Sequence, residues 1–393
     1  MADRPFPDGF RWGTATAAHQ IEGGNTNNDW WRWEHTPGSG VAEPSGDACD
    51  SWHRWTEDVD LVASLGLDHY RFSLEWSRIE PAPGEFSAAA LDHYRRICDS
   101  LREKGVEPVV TFHHFTTPLW LADRGGWEKR ETVDRYGEYC HRSAAALGSS
   151  IGRACTLNEP NIVATMGYVM GMFPPGRTDP AAAHAVTENL VDAHRKGVEA
   201  IRSASPGVPV GLTLSMTDYQ AVEGGEEHAA RTREIHEDVF LRATEGDDFL
   251  GVQTYTRMRL GPTGWVGPEP GVPVLPMGYE LWPQALGACL RRAWEVTCGK
   301  VPLWVTENGI GTDDDDQRTQ FVHDALVGVV DVLADGITVE GYTYWSLLDN
   351  FEWAFGYRPR FGLVAVDRRT FERRPKRSAS WFSSVAGRNA LPS

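Results

Sequence analysis

The sequence predicts an α/β chain folded as a single (β/α)8 barrel over residues 1–393, and three observations carry that expectation. Eight short apolar runs alternate with longer segments of helical periodicity. No linker or break in composition divides the chain. Several of the runs end in polar, ionisable or aromatic residues, and in such barrels the carboxyl ends of the strands build the site. A chain of 393 residues, 41% hydrophobic, can bury one large core, because α/β barrels routinely exceed the usual domain size.

The first strand is expected in FRWGTATA, residues 10–17, and leads to His19 and Gln20. The second lies in HYRFSLEW, 69–76, where Arg71 alternates with Tyr70 and Phe72. A helix over 88–104 repeats Leu91, Tyr94, Cys98 and Leu101 at helical spacing before Gly105 stops it. The third strand, EPVVTFHHF at 107–115, delivers His113 and His114. In the fourth, RACTLNEP at 153–160, Ala154 to Leu157 suit a buried strand. Pro160 cannot extend a sheet ladder, so Glu159 is set at the strand's carboxyl end, directly behind Asn158.

Helical segments at 183–204 and 226–245 flank the fifth strand, VPVGLTLSM at 208–216. The sixth, DFLGVQTYT at 248–256, ends in Gln253 and Tyr255. The seventh, VPLWVTENG at 301–309, ends in Glu307 and Asn308. The acidic run 313–316 precedes a helix over 317–335, with Phe321, Val322, Leu326, Val329, Val330 and Leu333 on one face and Gly336 as its stop. Negative charge at a helix start suits the macrodipole, and the run lacks the spacing of a calcium loop. The eighth strand, GYTYWSLLDN at 341–350, brings Trp345, Asp349 and Asn350, with Glu352 and Trp353 just beyond.

Composition excludes several classes of function. A net charge of −17, from 55 acidic against 38 basic residues, disfavours nucleic acid and anionic membrane surfaces as partners. No stretch approaches a membrane span, and MADRPFPDGFRWGTATAAHQ lacks the pattern of a secretion signal. Cysteines 49, 98, 140, 155, 289 and 298 form no CxxC pair. They are expected as free thiols in a reducing cytoplasm, Cys155 in a strand core and Cys98 on an amphipathic helix. No glycine-rich phosphate loop follows the first strand, which disfavours an open doubly wound sheet, and no cofactor is expected. His113 and His114 are adjacent on a strand and point to opposite faces, so they cannot share one ion and no metal site is expected. One of the two suits a hydrogen bond to a ligand hydroxyl, and the other a satisfied structural role. Sixteen Trp is a high count; most are expected in the core, and a surplus suits stacking on flat apolar faces of a ligand.

Glu159 and Glu307 stand apart because each directly follows an apolar strand, in TLNE and LWVTE. Strands four and seven lie on nearly opposite sides of an eight-stranded ring. Two carboxylates facing across a sugar-sized gap are what glycosidic cleavage requires: one protonates the departing oxygen and the other faces the anomeric carbon. A separation of about 5–5.5 Å gives a covalent intermediate and retention, and about 6.5–9.5 Å admits water and inversion. Charge on one acid opposes ionisation of the other, so one pKa is expected to rise while the cation-paired or better-solvated partner stays ionised. Arg71 either holds Glu307 as an anion or is an interior ion-pair member without catalytic effect, and the residues leave both open.

The motifs taken together resemble glycoside hydrolase family one, the β-glucosidase family, nearly end to end. FRWGTATAAHQIEGG looks like its amino-terminal signature and YRFSLEWSRIEP like its second-strand block. TLNEPN resembles the acid/base motif, VTENGIG the nucleophile motif, and YWSLLDNFEWAFGY with RFGLVAVD the sugar-clamping segment. RRPKRSASWF is similar to the family's tail. The resemblance implies a retaining exo-β-glycosidase, a β-glucosidase above all, that removes neutral sugars from small aryl or alkyl β-glycosides or short oligosaccharides by double displacement. On this chain it implies Glu307 as nucleophile and Glu159 as acid/base, with Tyr255 and Arg71 supporting Glu307. It implies sugar contacts from Gln20, His114, Asn158, Trp345, Glu352 and Trp353.

Three positions depart from the family pattern. Phe115 stands where Trp is usual, which removes one edge hydrogen bond to the sugar. Gln253 replaces an Asn one methylene shorter, and Tyr279, in MGYELWP, takes the place of the Trp platform for the leaving group. Relatives that act on phosphorylated sugars replace the acidic clamp, whereas Glu352 would repel phosphate and Phe361 stands where those relatives have Tyr. A sugar-binding protein without catalysis would be expected to lack one acid, and both are present. A transglycosylase would share every residue and differ only in its acceptor.

Overall fold

The computed structural model describes residues 3–392. Eight parallel strands close a barrel: β1 (Arg11–Ala15), β2 (His69–Ser73), β3 (Glu107–His113), β4 (Arg153–Asn158), β5 (Val210–Ser215), β6 (Phe249–Gln253), β7 (Leu303–Asn308) and β8 (Val339–Trp345). Each strand pairs with the next in sequence, and β8 returns to β1 with Gly341 to Trp345 alongside Arg11 to Ala15. Seven strands fall inside the segments expected from the sequence. The eighth starts two residues earlier, at Val339, and stops at Trp345, so residues 346–350 are free of the ladder and loop over the barrel mouth.

The strands are enclosed by α1 (Ser51–Ser64), α2 (Ala88–Glu103), α3 (Arg130–Leu147), α4 (Pro180–Ala204), α5 (Glu226–Arg233), α6 (Ala285–Val296), α7 (Asp315–Ala334) and α8 (Arg377–Arg388). α5 continues through a π-helical turn at Glu234–Asp238 into Val239–Ala243. Helices outside and side chains inside bury both faces of the strands, which explains why they read as apolar runs without alternation. Every residue of β2 and of β7 is buried.

Packing follows the helical patterns with small shifts. In α2, Tyr94, Cys98 and Leu101 are buried and Leu91 is half-buried. In α7 the inner stripe is completed by Ala325 and Val332, while Val330 and Leu333 lie half-buried at its edge. The acidic run is a capped helix start: the Asp314 carboxylate accepts from the amides of Asp316 and Gln317 at 3.0 and 3.2 Å. A three-stranded sheet of Asp218–Ala221, Arg257–Gly261 and Gly264–Trp265, absent from the sequence expectation, rises beyond β5 and β6. None of the six cysteines is bonded; five are buried and Cys298 is exposed. Among the described residues no helix is long and apolar enough to cross a membrane.

Candidate active site

β4 ends at Asn158, and Glu159 turns the chain with φ 44° and ψ 57°, capping the helix Pro160–Tyr168. Pro160 fits the first helical position, where no amide hydrogen is needed. A left-handed glutamate costs of order 1–3 kcal/mol, and the Glu159 amide, donating to the Thr213 carbonyl at 2.9 Å, holds it there. The turn points the carboxyl into the mouth. Glu307 is the penultimate residue of β7. The two acids are 8% and 4% exposed, and both line a cavity of about 430 Å³. Gln20, His114, Tyr255, Tyr279, Trp345, Glu352 and Trp353 line the same space.

Glu307 is tethered on both oxygens. Arg71 Nη1 donates to Oε1 at 2.5 Å and the Tyr255 hydroxyl to Oε2 at 2.6 Å. Arg71 is 1% exposed and spends its other donors on Thr111 Oγ1 at 3.0 Å, Asn158 Oδ1 at 2.6 Å and Thr213 Oγ1 at 3.3 Å. Arg71 is thus both an interior ion-pair residue and a direct contact of Glu307. Burial pushes the Glu307 carboxyl up, while the Arg71 charge and the Tyr255 hydroxyl work against that rise.

Glu159 has weaker support. Its Oε1 accepts from Gln253 Nε2 at 2.9 Å, and Gln253 in turn accepts from Thr306 Oγ1 at 3.2 Å. Burial, and then the charge of Glu307, push its pKa up to about 8 against this neutral amide and the more distant Arg71. The pair is unequal: the guanidinium-bound acid gives up its proton first, and its charge keeps the proton on the other.

The far wall is polar on one side and aromatic on the other. Gln20 Nε2 donates to the Phe351 carbonyl at 2.8 Å and to Glu352 Oε2 at 3.2 Å. Its Oε1 is buried with no partner among the described residues, which leaves an acceptor for a hydroxyl. Glu352 is pushed up to about 8 by burial, Asn350 opposing with a hydrogen bond and the Glu307 charge adding to the rise. Asn158 Oδ1 accepts from Arg71, so its Nδ2 donates to His114 Nε2 at 3.2 Å. That fixes the His114 proton on Nδ1, a buried donor with no partner among the described residues. Burial keeps this ring neutral. His114 stacks at 16° on Trp345 and at 12° on Trp353, and Phe115 packs edge-on against Trp353 at 5.1 Å.

Some expected residues face elsewhere. His19 bonds Asn28 and Glu34 and supports Trp353 by stacking at 5.7 Å. Asn308 bonds Tyr342 and the Thr254 carbonyl, and Asp349 bonds Lys376 and the Gly362 amide. The expectation of a satisfied structural histidine at His113 is corrected: it is buried against Trp127 at 5.2 Å, and neither ring nitrogen has a partner among the described residues. Burial lowers its pKa to about 3, so it is an uncharged packing group. Tyr279 is half-buried with its hydroxyl directed to Met277 Sδ at 3.4 Å. The contact of Gln253 with Glu159 was missed, although its place at the end of β6 was visible. The methionines along the cavity carried no signal in the sequence.

Two acids of unequal charge, held by strand ends over one sugar-sized space, define a glycoside hydrolase of the paired-carboxylate type. The family model described as Glycosyl hydrolase family 1 matches residues 2–255 and 251–391, and the chain belongs to that family. It is 33% identical to beta-glucosidase A of Thermotoga maritima, with all of each chain covered. It is 36% identical to thermostable beta-glucosidase B of Thermobispora bispora, over 99% of this chain and 92% of that protein. The crystal structure of beta-glycosidase BGL167 superposes with a TM-score of 0.91 at 48% identity, covering 99% of both chains. The family 1 glucosidase structure from Thermotoga maritima gives a TM-score of 0.93 at 31% identity, covering 99% of this chain and all of that one.

Proposed function

We propose that the whole chain is one catalytic domain, a retaining exo-β-glycosidase that acts in the cytoplasm on neutral β-glucosides. The unequal support of the two acids carries the reading. Glu307, bound to Arg71 and Tyr255, attacks the anomeric carbon as an anion. The bond from that carbon to the leaving oxygen breaks, and the oxygen takes the Glu159 proton. A water then gives a proton to Glu159 and bonds to the anomeric carbon, releasing Glu307. Two inversions leave the product with retained configuration.

The amide of Gln253 acts on both carboxyls. Membership of the family 1 glycosyl hydrolases supports direct attack by Glu307 over an intervening water. Gln20 and Glu352 are joined across the end of the cavity, which supports removal of one terminal sugar at a time. His114 serves the same sugar, oriented by Asn158, which does not itself line the cavity, with Trp345 and Trp353 beneath the sugar's apolar face and Tyr279 beside the leaving group. The glucosidase names of the relatives support glucose, and the unbonded thiols support a reducing compartment.

A panel of nitrophenyl β-glycosides tests this. Wild type is expected to release nitrophenol fastest from the glucoside. Glu307→Ala is expected to be silent until azide is added, and then to form the inverted glycosyl azide. Normal turnover by that variant, or no release from any β-glycoside by wild type, overturns the reading.

A further inference from the structure

We infer that the leaving-group half of this cavity takes the apolar aglycone of a bulky alcohol, a long alkyl or fused-ring group, in preference to a second sugar. The inference rests on the glycosidase reading and concerns what lies beyond Glu159. Five of the chain's seven methionines, Met166, Met172, Met216, Met258 and Met277, line the cavity. They arrive from four separate segments after β4, β5 and β6, so no single packing requirement gathers them. The helix that Glu159 caps presents Ile162 and then Met166 to the cavity, about one and two turns beyond the acid. A leaving oxygen that collects the Glu159 proton therefore carries its substituent against this helix face.

Ser215 and Thr217 leave two small hydroxyls at the edge of that half, and its other hydroxyls are committed. The Thr256 hydroxyl donates to the Glu280 carbonyl at 2.8 Å, and the Tyr279 hydroxyl is turned to Met277. Among the described residues, the carboxylates lining the cavity are Glu159, Glu307 and Glu352, and no Asn, Lys or Arg lines it. A second sugar entering here would exchange water for thioethers and ring faces, and its hydroxyls would lose partners. An apolar alcohol loses none, and unbranched thioether side chains adapt to its shape. The apolar lining also continues outwards. Met172 and Met258 are 37% and 36% exposed, and the neighbouring segments expose Val169, Met170, Trp265, Val266 and Val274. Isolated apolar side chains on a surface need no explanation, but Met172 and Met258 are exposed and line the cavity at once, which carries its apolar lining to the surface as at a binding site.

Initial rates on methyl, butyl, hexyl and octyl β-D-glucoside, the last below its micelle concentration, test the inference against cellobiose. The alkyl alcohols are nearly equal as leaving groups, so a trend along the series reports contact rather than chemistry. The kcat/KM is expected to rise about two- to fourfold per added methylene, and octyl glucoside to exceed cellobiose at least tenfold. Met166→Gln and Met258→Gln are each expected to cut the octyl-to-methyl ratio several-fold. A flat series, or cellobiose above octyl glucoside, overturns the apolar preference while nitrophenyl glucoside turnover still upholds the glycosidase. If nitrophenyl glucoside is not cleaved either, the glycosidase reading fails and takes this inference with it.

Discussion

Replacing Tyr255 by Phe removes a single oxygen, the one that donates to Glu307 Oε2 at 2.6 Å. Glu307 is 4% exposed, so water is poorly placed to replace the lost donor. A hydrogen bond to a charged acceptor is worth about 1.5–3 kcal/mol, and one pKa unit corresponds to about 1.36 kcal/mol. The Glu307 pKa should therefore climb by about 1–2 units, Arg71 still holding Oε1 at 2.5 Å. The hydroxyl favours the anion, so its loss makes the anion form at higher pH, and the acidic limb of kcat/KM moves up. The basic limb, set by Glu159 near 8, should stay in place, because Tyr255 does not touch that acid. The assay is kcat/KM on nitrophenyl β-glucoside from pH 4 to 10, with circular dichroism to verify folding. An acidic limb that stays fixed or moves down in a folded variant, or a shift of the basic limb alone, would refute the assignment of Glu307 as the group ionised for attack.

Gln253→Leu takes away the amide that favours ionised Glu159. The basic limb of the same profile should move above about 8, with a smaller rise of the acidic limb because the amide also favours ionised Glu307, whereas Tyr255→Phe moves the acidic limb alone. Glu237, in the π turn of α5, is pushed up to about 8 by burial from an ordinary value of 4.5. The folded protein thus keeps a proton that the unfolded chain releases between those values, and stability is full below the window and falls as pH rises through it. Glu237→Gln retains an acceptor for the Thr217 amide, bonded at 2.8 Å in wild type. Its stability advantage should grow from pH 5 to pH 9 towards a limit of roughly 3–5 kcal/mol, read as a widening difference in Tm. Asp314→Ala removes the acceptor for two amides at the start of α7 and should cost about 0.5–2 kcal/mol in a denaturant titration, with kinetics unchanged.

The strands were legible because both faces of a barrel strand are dry, which leaves an uninterrupted apolar run in the sequence. The two acids were legible because each interrupts such a run at its end, and Pro160 marks where the fourth stops. What was not legible depends on closure of the ring. Gln253 and Glu159 are 94 residues apart and meet only when β5 pairs with both β4 and β6 and sets them two places apart in the ring. The three-stranded sheet combines Asp218–Ala221 from one loop with Arg257–Gly261 from the next, each too short to show a period. Buried polar groups usually have partners, which is the basis for expecting one at His113, but its surroundings are the rings of Trp127 and Tyr136. Val330 and Leu333 were assigned to the inner face of α7, but Ala325 and Val332 complete it, and a small alanine is easily passed over in an apolar pattern.

The Arg71 guanidinium, on β2, reaches Thr111 on β3, Asn158 on β4, Thr213 on β5 and Glu307 on β7. One side chain thereby couples the Glu307 carboxylate to the shape of the ring rather than to any surface excursion of the chain. The segments that carry the methionines can then be lengthened, shortened or exchanged without loosening the hold on Glu307. A scaffold wired in this way leaves the lining of the cavity free to vary while the geometry around Glu307 stays fixed by the ring.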